Sequence, residues 1–300
     1  GLMFADRLTT VSPSFAREIL LPDNGAGLDG VLRERVGELS GILNGLDTRC
    51  WNPEDDPLLI QNYSSGSLQL KAVNKLSVQR QLQLKQTSKL PLVTVIGRLA
   101  YQKGIDVLLE SLPQLMELPL QLAIVGSGDL PYEVALRDAA KQYPHRMAVH
   151  IGFNESLAHR LEAGADMLLM PSRFEPCGLT QMQSLRYGTV PVVGRCGGLL
   201  DTVTDTDPVS LNSHTATGFF IDPLSPAGIV TAMRRALAVF GRPAEWQTLM
   251  QQGMRQDFSW EQSAQNYEAV YREAVTARRR GSRMWPFLPE QSAAPGGSQG

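Results

Sequence analysis

The sequence of 300 residues has few cysteines, almost no net charge and no long apolar run. Its three cysteines, Cys50, Cys177 and Cys196, lack C-x-x-C spacing, which argues against a disulfide framework and against a zinc site built from cysteines. We interpret them as reduced thiols that pack in the interior, with a reactive Cys177 as the alternative. A net charge of -2 gives no electrostatic footprint for nucleic acid or for an anionic membrane.

No apolar run approaches the roughly 20 residues that cross a bilayer, and residues 1–7 do not begin a signal peptide. The sequence therefore predicts a cytoplasmic protein whose partners are neither nucleic acid nor membrane. What it does contain is 43% apolar residues, enough for a substantial core. Its length suggests roughly one and a half to two domains. Only residues 282–300 have the composition of a disordered tail.

From Leu92 onward, apolar segments of strand length alternate with amphipathic helical segments. The predicted strands are Leu92–Ile96, Leu120–Val125, Met147–Ile151, Met167–Met170 and Val190–Val193. The predicted helices are Ile105–Glu117, Tyr132–Gln142, Glu155–Ala163, Leu179–Tyr187 and Pro226–Phe240. Such alternation is typical of an α/β fold with a doubly wound parallel sheet, in which the loops that follow the strands meet at one ligand-binding edge.

Elsewhere the patterns are weaker and predict isolated elements. A strand at Leu8–Ser12 precedes a short helix from Pro13, and a surface helix at Val31–Leu39 precedes a short strand at Gly41–Gly45. Leu68–Leu84 is predicted to be an amphipathic helix. A final helix spans Ser259–Ala277, with a capping box formed by Ser259 and Gln262. Its apolar stripe consists of Trp260, Ala264, Tyr267, Tyr271, Ala274 and Val275.

The stretch from Met167 to Thr180 combines a buried strand, a short loop bounded by prolines and a helix start. Unpaired amides near Gly178 to Thr180 could hold a phosphate at this helix start. A carboxylate would repel that phosphate, so Glu175 is predicted to accept hydrogen bonds from the hydroxyls of a sugar. The alternative is a capping acid in an ordinary loop.

The loops after the other strands carry related residue types. After the first strand, Arg98 and Lys103 could neutralise a diphosphate, or they could be solvated surface charges. After the second, the glycines of 126–128 permit close approach of the backbone. After the third, Phe153 could stack on a purine ring or pack in the core. The glycine-rich segment 194–198 follows the fifth strand, and we expect all these loops to form one site.

Four blocks of sequence are specific enough to identify a family. They are SRFEPCGLTQ at 172–181, GRL with QKG at 97–104, GGL with DTV at 197–203, and GILNGLD at 41–47. Together they resemble bacterial glycogen synthase and plant starch synthase, from about Asp6 to about Tyr271. The resemblance implies a GT-B fold and retaining transfer of glucose from ADP-glucose to the non-reducing end of an α-1,4-glucan. It also implies that no metal or cofactor takes part, and a location in the cytoplasm or, in a plant or alga, the plastid stroma.

Residue by residue, the resemblance assigns catalytic roles to Arg98, Lys103 and Glu175. Arg98 and Lys103 would hold the donor diphosphate and stabilise charge on the departing ADP, while Glu175 would bind glucose hydroxyls and support positive charge at the anomeric carbon. Gln183 occupies the position where related enzymes often carry a second acid, so a covalent intermediate and same-face attack both stay open. The implied donor-binding residues are Gly126, Gly128, Phe153 against adenine, Cys177, Gly178, and Leu179 and Thr180 with their amides on the distal phosphate.

The resemblance also divides the chain. It assigns 1–38 to a remnant of the N-terminal GT-B domain, 39–258 to the Rossmann-like C-terminal domain, 259–281 to a helix that crosses back, and 282–300 to the tail. The family's N-terminal Lys-x-Gly-Gly loop and active-site histidine have no counterpart, since His145, His150, His159 and His214 match no such role. We therefore expect this chain alone to bind ADP weakly and to transfer little or no glucose.

Two other functions stay open at this stage. The first is a non-catalytic module that binds a nucleotide sugar or a glucan, because half of an interdomain cleft can bind without catalysing. The second is a phosphorylase, which would need a lysine joined to pyridoxal phosphate, and no motif in the sequence supports it.

Overall fold

The computed structural model describes residues 1–279, so the predicted tail at 282–300 lies outside the described residues. Two parallel sheets are present. The strands are β1 (Leu8–Thr10), β2 (Leu39–Gly41), β3 (Leu92–Ile96), β4 (Gln121–Gly126), β5 (Met147–Ile151), β6 (Met167–Met170), β7 (Val190–Gly194) and β8 (Phe219–Ile221). The helices are α1 (Pro13–Glu18), α2 (Asp29–Glu34), α3 (Lys71–Gln81), α4 (Ile105–Leu115), α5 (Leu130–Gln142), α6 (Glu155–Gly164), α7 (Thr180–Arg186), α8 (Gly197–Thr202), α9 (Pro208–Asn212), α10 (Pro226–Phe240), α11 (Pro243–Met254) and α12 (Trp260–Arg279).

The main sheet has six parallel strands in the order β5-β4-β3-β6-β7-β8. The five strands predicted from residue 92 onward are confirmed, each within a residue at either end. Strand β8 was not predicted, because its three residues are too few to show a pattern. The chain first builds outward from β3 to β5 and then returns to place β6 on the other side of β3, which makes β3 and β6 the switch point of the sheet.

The core lies on both faces of this sheet, which explains why its central strands are continuously apolar. Every residue of β4 and of β6 is buried. On one face the strands pack against α4 and α10, through residues such as Leu108, Leu112 and Met233. On the other face Leu157 and Leu161 of α6 form a smaller cluster with the sheet.

The N-terminal residues form a small parallel sheet of β1 and β2, in which Leu8 pairs with Leu39. The predicted helix at Val31–Leu39 is only partly correct, because helix α2 ends at Glu34, a 3₁₀ turn follows at Val36–Glu38, and β2 begins at Leu39. Helix α1 lies against α8, where the backbone N–H of Ser14 donates to Asp201 over 2.8 Å. The N-terminal residues are thereby attached to the main sheet.

Helix α3 turns its polar side inward, which contradicts the predicted amphipathic helix at Leu68–Leu84. A 3₁₀ turn at Leu68–Leu70 precedes α3. Lys71, Asn74, Lys75 and Gln79 are buried, whereas Val73 and Leu76 are exposed.

The buried lysines of α3 are matched by acceptors. The Lys71 ammonium donates to the backbone carbonyls of Glu162 and Ala163, each over 2.9 Å, and to the hydroxyl of Thr189 over 2.8 Å. Lys75 pairs with Asp166 over 2.7 Å. Helix α3 therefore docks through these hydrogen bonds together with Val78, which packs against Leu157 and Leu161 of α6.

Helix α12 begins with half of the predicted capping box. The Ser259 hydroxyl accepts a bond from the Gln262 backbone N–H over 3.4 Å, but the Ser259 N–H donates to Asp257 instead of to the Gln262 side chain. Much of the predicted stripe faces solvent, since Tyr271 is 66% and Val275 is 50% exposed. None of the helices described in residues 1–279 is long and apolar enough to cross a membrane.

Candidate functional site

The switch point between β3 and β6 brings two loops together at the carboxyl edge of the sheet. Residues 97–104 follow β3 and residues 171–179 follow β6. Because the chain leaves these two neighbouring strands in opposite directions, a crevice opens between the loops. The sequence-predicted residues Arg98, Lys103 and Glu175 all lie on these two loops.

The most direct contact between the loops is an ion pair. The Lys103 Nζ lies 2.5 Å from the Glu175 Oε2, and the Ser172 hydroxyl donates to the same oxygen over 3.2 Å. Glu175 is only 6% exposed, and Lys103 is half-buried. These two contacts hold the carboxylate in a fixed position and leave its second oxygen for another donor.

Arg173 and Asp106 hold the same loops together, and the sequence analysis missed both. The guanidinium makes two bonds of 2.6 Å to the Asp106 carboxylate and lies over the Tyr101 ring, 3.7 Å from its centroid. Hydrogen bonding from Arg173 lowers the pKa of Asp106. Gln102 adds a further link, because it bonds to the Arg98 guanidinium and to the Phe174 carbonyl. The sequence feature that could have indicated a role for Arg173 is its position two residues before Glu175.

Three glycines let neighbouring loops approach one another. A Cβ atom at Gly104 would overlap the Pro171 carbonyl, one at Gly126 would overlap the Gly97 carbonyl, and one at Gly197 would overlap the Glu175 carbonyl. Gly104 and Gly197 also have positive φ angles, which favour glycine. Each loop is thus packed directly on the next.

A cavity of about 330 Å³ is lined by residues of the same edge, including Arg98 of the β3 loop, but not by Lys103 or Glu175. Four of the predicted residues line it: Arg98, Gly126, Phe153 and Thr180. Phe153 is 89% exposed, so the alternative that it packs in the core is wrong. The cavity is further lined by Trp51, Ile96, Gly97, Val125, Ser127, Gly152, Asn154, Glu155, Ala158 and Gln183. Its mixture of an arginine, exposed aromatic rings and close backbone suits a flat ring that carries phosphates.

The remaining predicted residues do not line this cavity. Gly128 packs against Leu99, and Gly178 and Leu179 lie between Glu175 and α7. The Cys177 thiol is buried, and burial raises its pKa, which fits a packing thiol rather than a reactive one. The loop after β7 lies against Glu175 instead of the cavity, so the prediction that all these loops form one site is only partly correct.

A larger cavity of about 660 Å³ lies between α9 and α10, near β8. None of the predicted site residues lines it. Its arginines are also engaged, because Arg235 pairs with Asp205 and Arg242 pairs with Glu245. The switch-point crevice is therefore the better candidate despite its smaller volume.

A family model described as glycosyl transferases group 1 matches residues 79–246, more than half of the chain. The chain belongs to this family. A second model, the starch synthase catalytic domain, matches residues 1–34. The first matched segment includes the β3 loop, the Lys103–Glu175 pair and every residue that lines the cavity except Trp51.

Curated relatives of known name extend the match along most of the chain. This chain is 52% identical over 277 residues to a glycogen synthase from Thioalkalivibrio sulfidiphilus, and the match covers 92% of this chain and 57% of that protein. It is 51% identical over 278 residues to a glycogen synthase from Anaeromyxobacter dehalogenans, covering 93% of this chain and 57% of that protein. The chain thus spans little more than half the length of these relatives, and the predicted resemblance is confirmed.

A solved structure agrees with the fold. The catalytic domain of starch synthase IV from Arabidopsis thaliana, bound to ADP and acarbose, superposes with a TM-score of 0.86 at 34% identity. The match covers 92% of this chain and 57% of that chain. The predicted fold class, a doubly wound parallel sheet of GT-B type, is confirmed.

Proposed function

We propose that this chain forms the donor-binding half of a retaining glucosyltransferase that moves glucose from ADP-glucose to the non-reducing end of an α-1,4-glucan. The observation that carries the proposal is that Lys103, which pairs with Glu175, shares its loop with Arg98, which lines the cavity. The glycogen synthase relatives and the ADP-bound starch synthase support the choice of donor and acceptor. A cytoplasmic location follows from the same proposal, and the bacterial relatives give no support to a plastid.

In this proposal the cations act on the leaving group. When the bond between glucose and ADP breaks, negative charge grows on the diphosphate, and fixed cations at Arg98 and Lys103 would offset it. Adenine would lie on Phe153, and the amides of Leu179 and Thr180 would meet the distal phosphate. Helix α7 has only seven residues, so these amides would act mainly as hydrogen-bond donors.

Glu175 would face the sugar. Its Oε2 is occupied by Lys103 and Ser172, so its other oxygen is the one available to glucose hydroxyls. Gln183 lines the cavity where a second acid would otherwise lie, so the proposal includes no second carboxylate. It also includes no metal or cofactor, because the named side chains supply the charge stabilisation.

Transfer and binding should be measured separately on the 300-residue chain. The chain is incubated with ADP-[14C]glucose and glycogen, and radioactivity in the polymer is counted, while ADP binding is measured by calorimetry. We expect weak ADP binding and little or no transfer, because the matched relatives are longer than this chain. Label in the polymer would show the enzyme activity directly. Binding without transfer is the result expected of a donor-binding half, whereas the absence of ADP binding would contradict the proposal.

The diphosphate contacts are tested by Arg98→Ala and Lys103→Ala. Each change removes a cation that the proposal places on the phosphates, so we expect ADP affinity to fall at least about tenfold in either variant. Lys141→Ala is the matched control, since Lys141 is an exposed lysine paired with Asp138 on α5. Unchanged ADP affinity in both test variants would refute the assigned contacts.

A further inference from the structure

Three side chains that offer metal-ligand atoms converge beside the cavity. The Cys50 Sγ, a Glu155 carboxylate oxygen and a ring nitrogen of His159 all lie within 4.8 Å of one another. Glu155 and His159 are four residues apart on α6 and therefore share one face of the helix. Cys50 comes from a distant loop, so sequence spacing could not reveal the cluster.

His159 is held as a metal ligand would be. Its side chain is 2% exposed, and its Nδ1 lies 2.8 Å from the Asp56 carboxylate, which also accepts a 2.6 Å bond from the Tyr187 hydroxyl. A carboxylate on Nδ1 places the ring proton there and leaves Nε2 with a free lone pair. That Nε2 is buried and has no hydrogen-bond partner in the described part of the chain.

A buried acceptor without a donor is costly, so we expect this nitrogen to bind a partner from outside the chain. Trp51 stacks on the His159 ring with centroids 3.8 Å apart, which fixes the ring plane. With Asp56 on one side and Trp51 on its face, the ring is oriented before any ligand arrives. Such orientation by a carboxylate is typical of histidines that bind metals.

We propose that Cys50, Glu155 and His159 bind a divalent transition-metal ion such as Zn²⁺. A sulfur, a nitrogen and an oxygen ligand form a set that zinc accepts, and a water molecule would complete a tetrahedron. Tetrahedral zinc separates its ligand atoms by roughly 3.5 Å, given bonds of about 2.0 to 2.3 Å. Cys50 and Glu155 are exposed, so both can move the small distance required. Cys50 would bind as the thiolate and release its proton to water.

The site would act on the cavity without forming part of the diphosphate contacts. Glu155 and Trp51 line the cavity, whereas Cys50 does not. A bound ion would fix the start of α6 to the loop that carries Cys50 and Trp51. It would thereby stiffen this wall of the cavity.

Cobalt provides the test, because a thiolate bound to Co²⁺ gives a charge-transfer absorption. The 300-residue chain is titrated with CoCl₂ and then with ZnCl₂, and Zn²⁺ should displace Co²⁺. We expect Cys50→Ser to abolish the charge-transfer band and Glu155→Gln to weaken metal binding about tenfold or more. Glu110→Gln, at another exposed acid, should change neither. Equal Co²⁺ affinity and spectra in the parent and in Cys50→Ser would overturn the proposal.

A second measurement needs no variant. Cys50 is the exposed thiol of the three, so an alkylating reagent should modify it first. Saturating Zn²⁺ should slow that modification at least about tenfold, because the bound thiolate is no longer a free nucleophile. An unchanged rate would overturn the site. Neither measurement uses ADP-glucose, so its result is independent of the proposed transferase activity.

Discussion

The pairing of Arg173 with Asp106 joins the loop after β6 to the start of α4. Its two bonds of 2.6 Å form the bidentate geometry that makes arginine–carboxylate pairs strong for partly exposed groups. Neither residue lines the cavity, so the pair would act by positioning Lys103 and Glu175.

We expect Arg173→Ala to lower the free energy of unfolding by about 1 kcal/mol, because the lost pair is partly screened by solvent. ADP affinity should fall about three- to tenfold as the two loops lose alignment. Calorimetry and thermal unfolding check both effects. Arg242→Ala, which breaks the exposed pair with Glu245, is the control and should leave ADP affinity unchanged. Loss of stability without loss of affinity would contradict the positioning role.

Glu162 makes stability depend on pH. Burial raises its pKa to about 8, although the Ser184 hydroxyl donates to it. Because the folded state holds this proton more tightly than the unfolded state, the free energy of unfolding should fall as pH rises from 5 to 7, by up to about 1.4 kcal/mol per pH unit. Burial lowers the pKa of Lys71 to about 7, which acts in the opposite direction above that pH.

The prediction is that Glu162→Gln flattens this slope between pH 5 and 7, as measured by urea unfolding. Glu110→Gln should keep the slope of the parent chain, since Glu110 is exposed. A slope that persists unchanged in Glu162→Gln would show that another group is responsible.

Residue types and their place after each strand were enough to predict that Arg98, Phe153 and Thr180 share one edge, and they line one cavity. The contact between Lys103 and Glu175 was not predictable. The two residues are 72 positions apart, and sequence reasoning assigned one to phosphate and the other to sugar. Their chemical roles stay predictions.

At the scale of elements, α3 shows why periodicity failed. Its apolar residues lie among lysines and glutamines, and the rule that apolar residues point inward holds for Val78 but fails for Val73 and Leu76, which are exposed. Backbone carbonyls at the end of α6 need donors, and Lys71 supplies them from α3. These carbonyls come near α3 only in the folded chain, so the local sequence pattern of α3 cannot show that they need a donor.

Replacing Lys71 by Met keeps the length of the side chain but removes its donors. The carbonyls of Glu162 and Ala163 would then be buried without this partner, and we expect a loss of about 2 kcal/mol in the free energy of unfolding. Lys85→Met at an exposed lysine should change stability by less than about 0.5 kcal/mol. Equal melting temperatures for the two variants would contradict the docking role of Lys71.

For the whole molecule, alternation of strands and helices predicted the parallel sheet and most of its boundaries. It did not predict the order of the strands, because a hydrophobic pattern carries no information on which strands are neighbours. The short elements β8, α8 and α9 were missed for lack of length. The domain limits at 38 and 258 stay predictions.

The exposed stripe on α12 should make the chain associate with itself at high concentration, because contiguous apolar surface favours contact. Tyr271→Ser combined with Val275→Ser should reduce this association, as measured by light scattering across a concentration series. Val209→Ser removes an apolar residue on α9 that is 75% exposed and lies outside this stripe, so it should have no effect. Identical scattering from all three proteins would contradict the prediction.

The overlap that any side chain would cause at Gly104, Gly126 or Gly197 has a kinetic consequence. Loops packed this tightly cannot reshape one at a time, so an arriving nucleotide would meet a surface that is already assembled. Its observed binding rate would then rise in proportion to nucleotide concentration, without a plateau set by a slow rearrangement. Variants that bind the nucleotide more weakly would differ from the parent mainly in a faster dissociation rate.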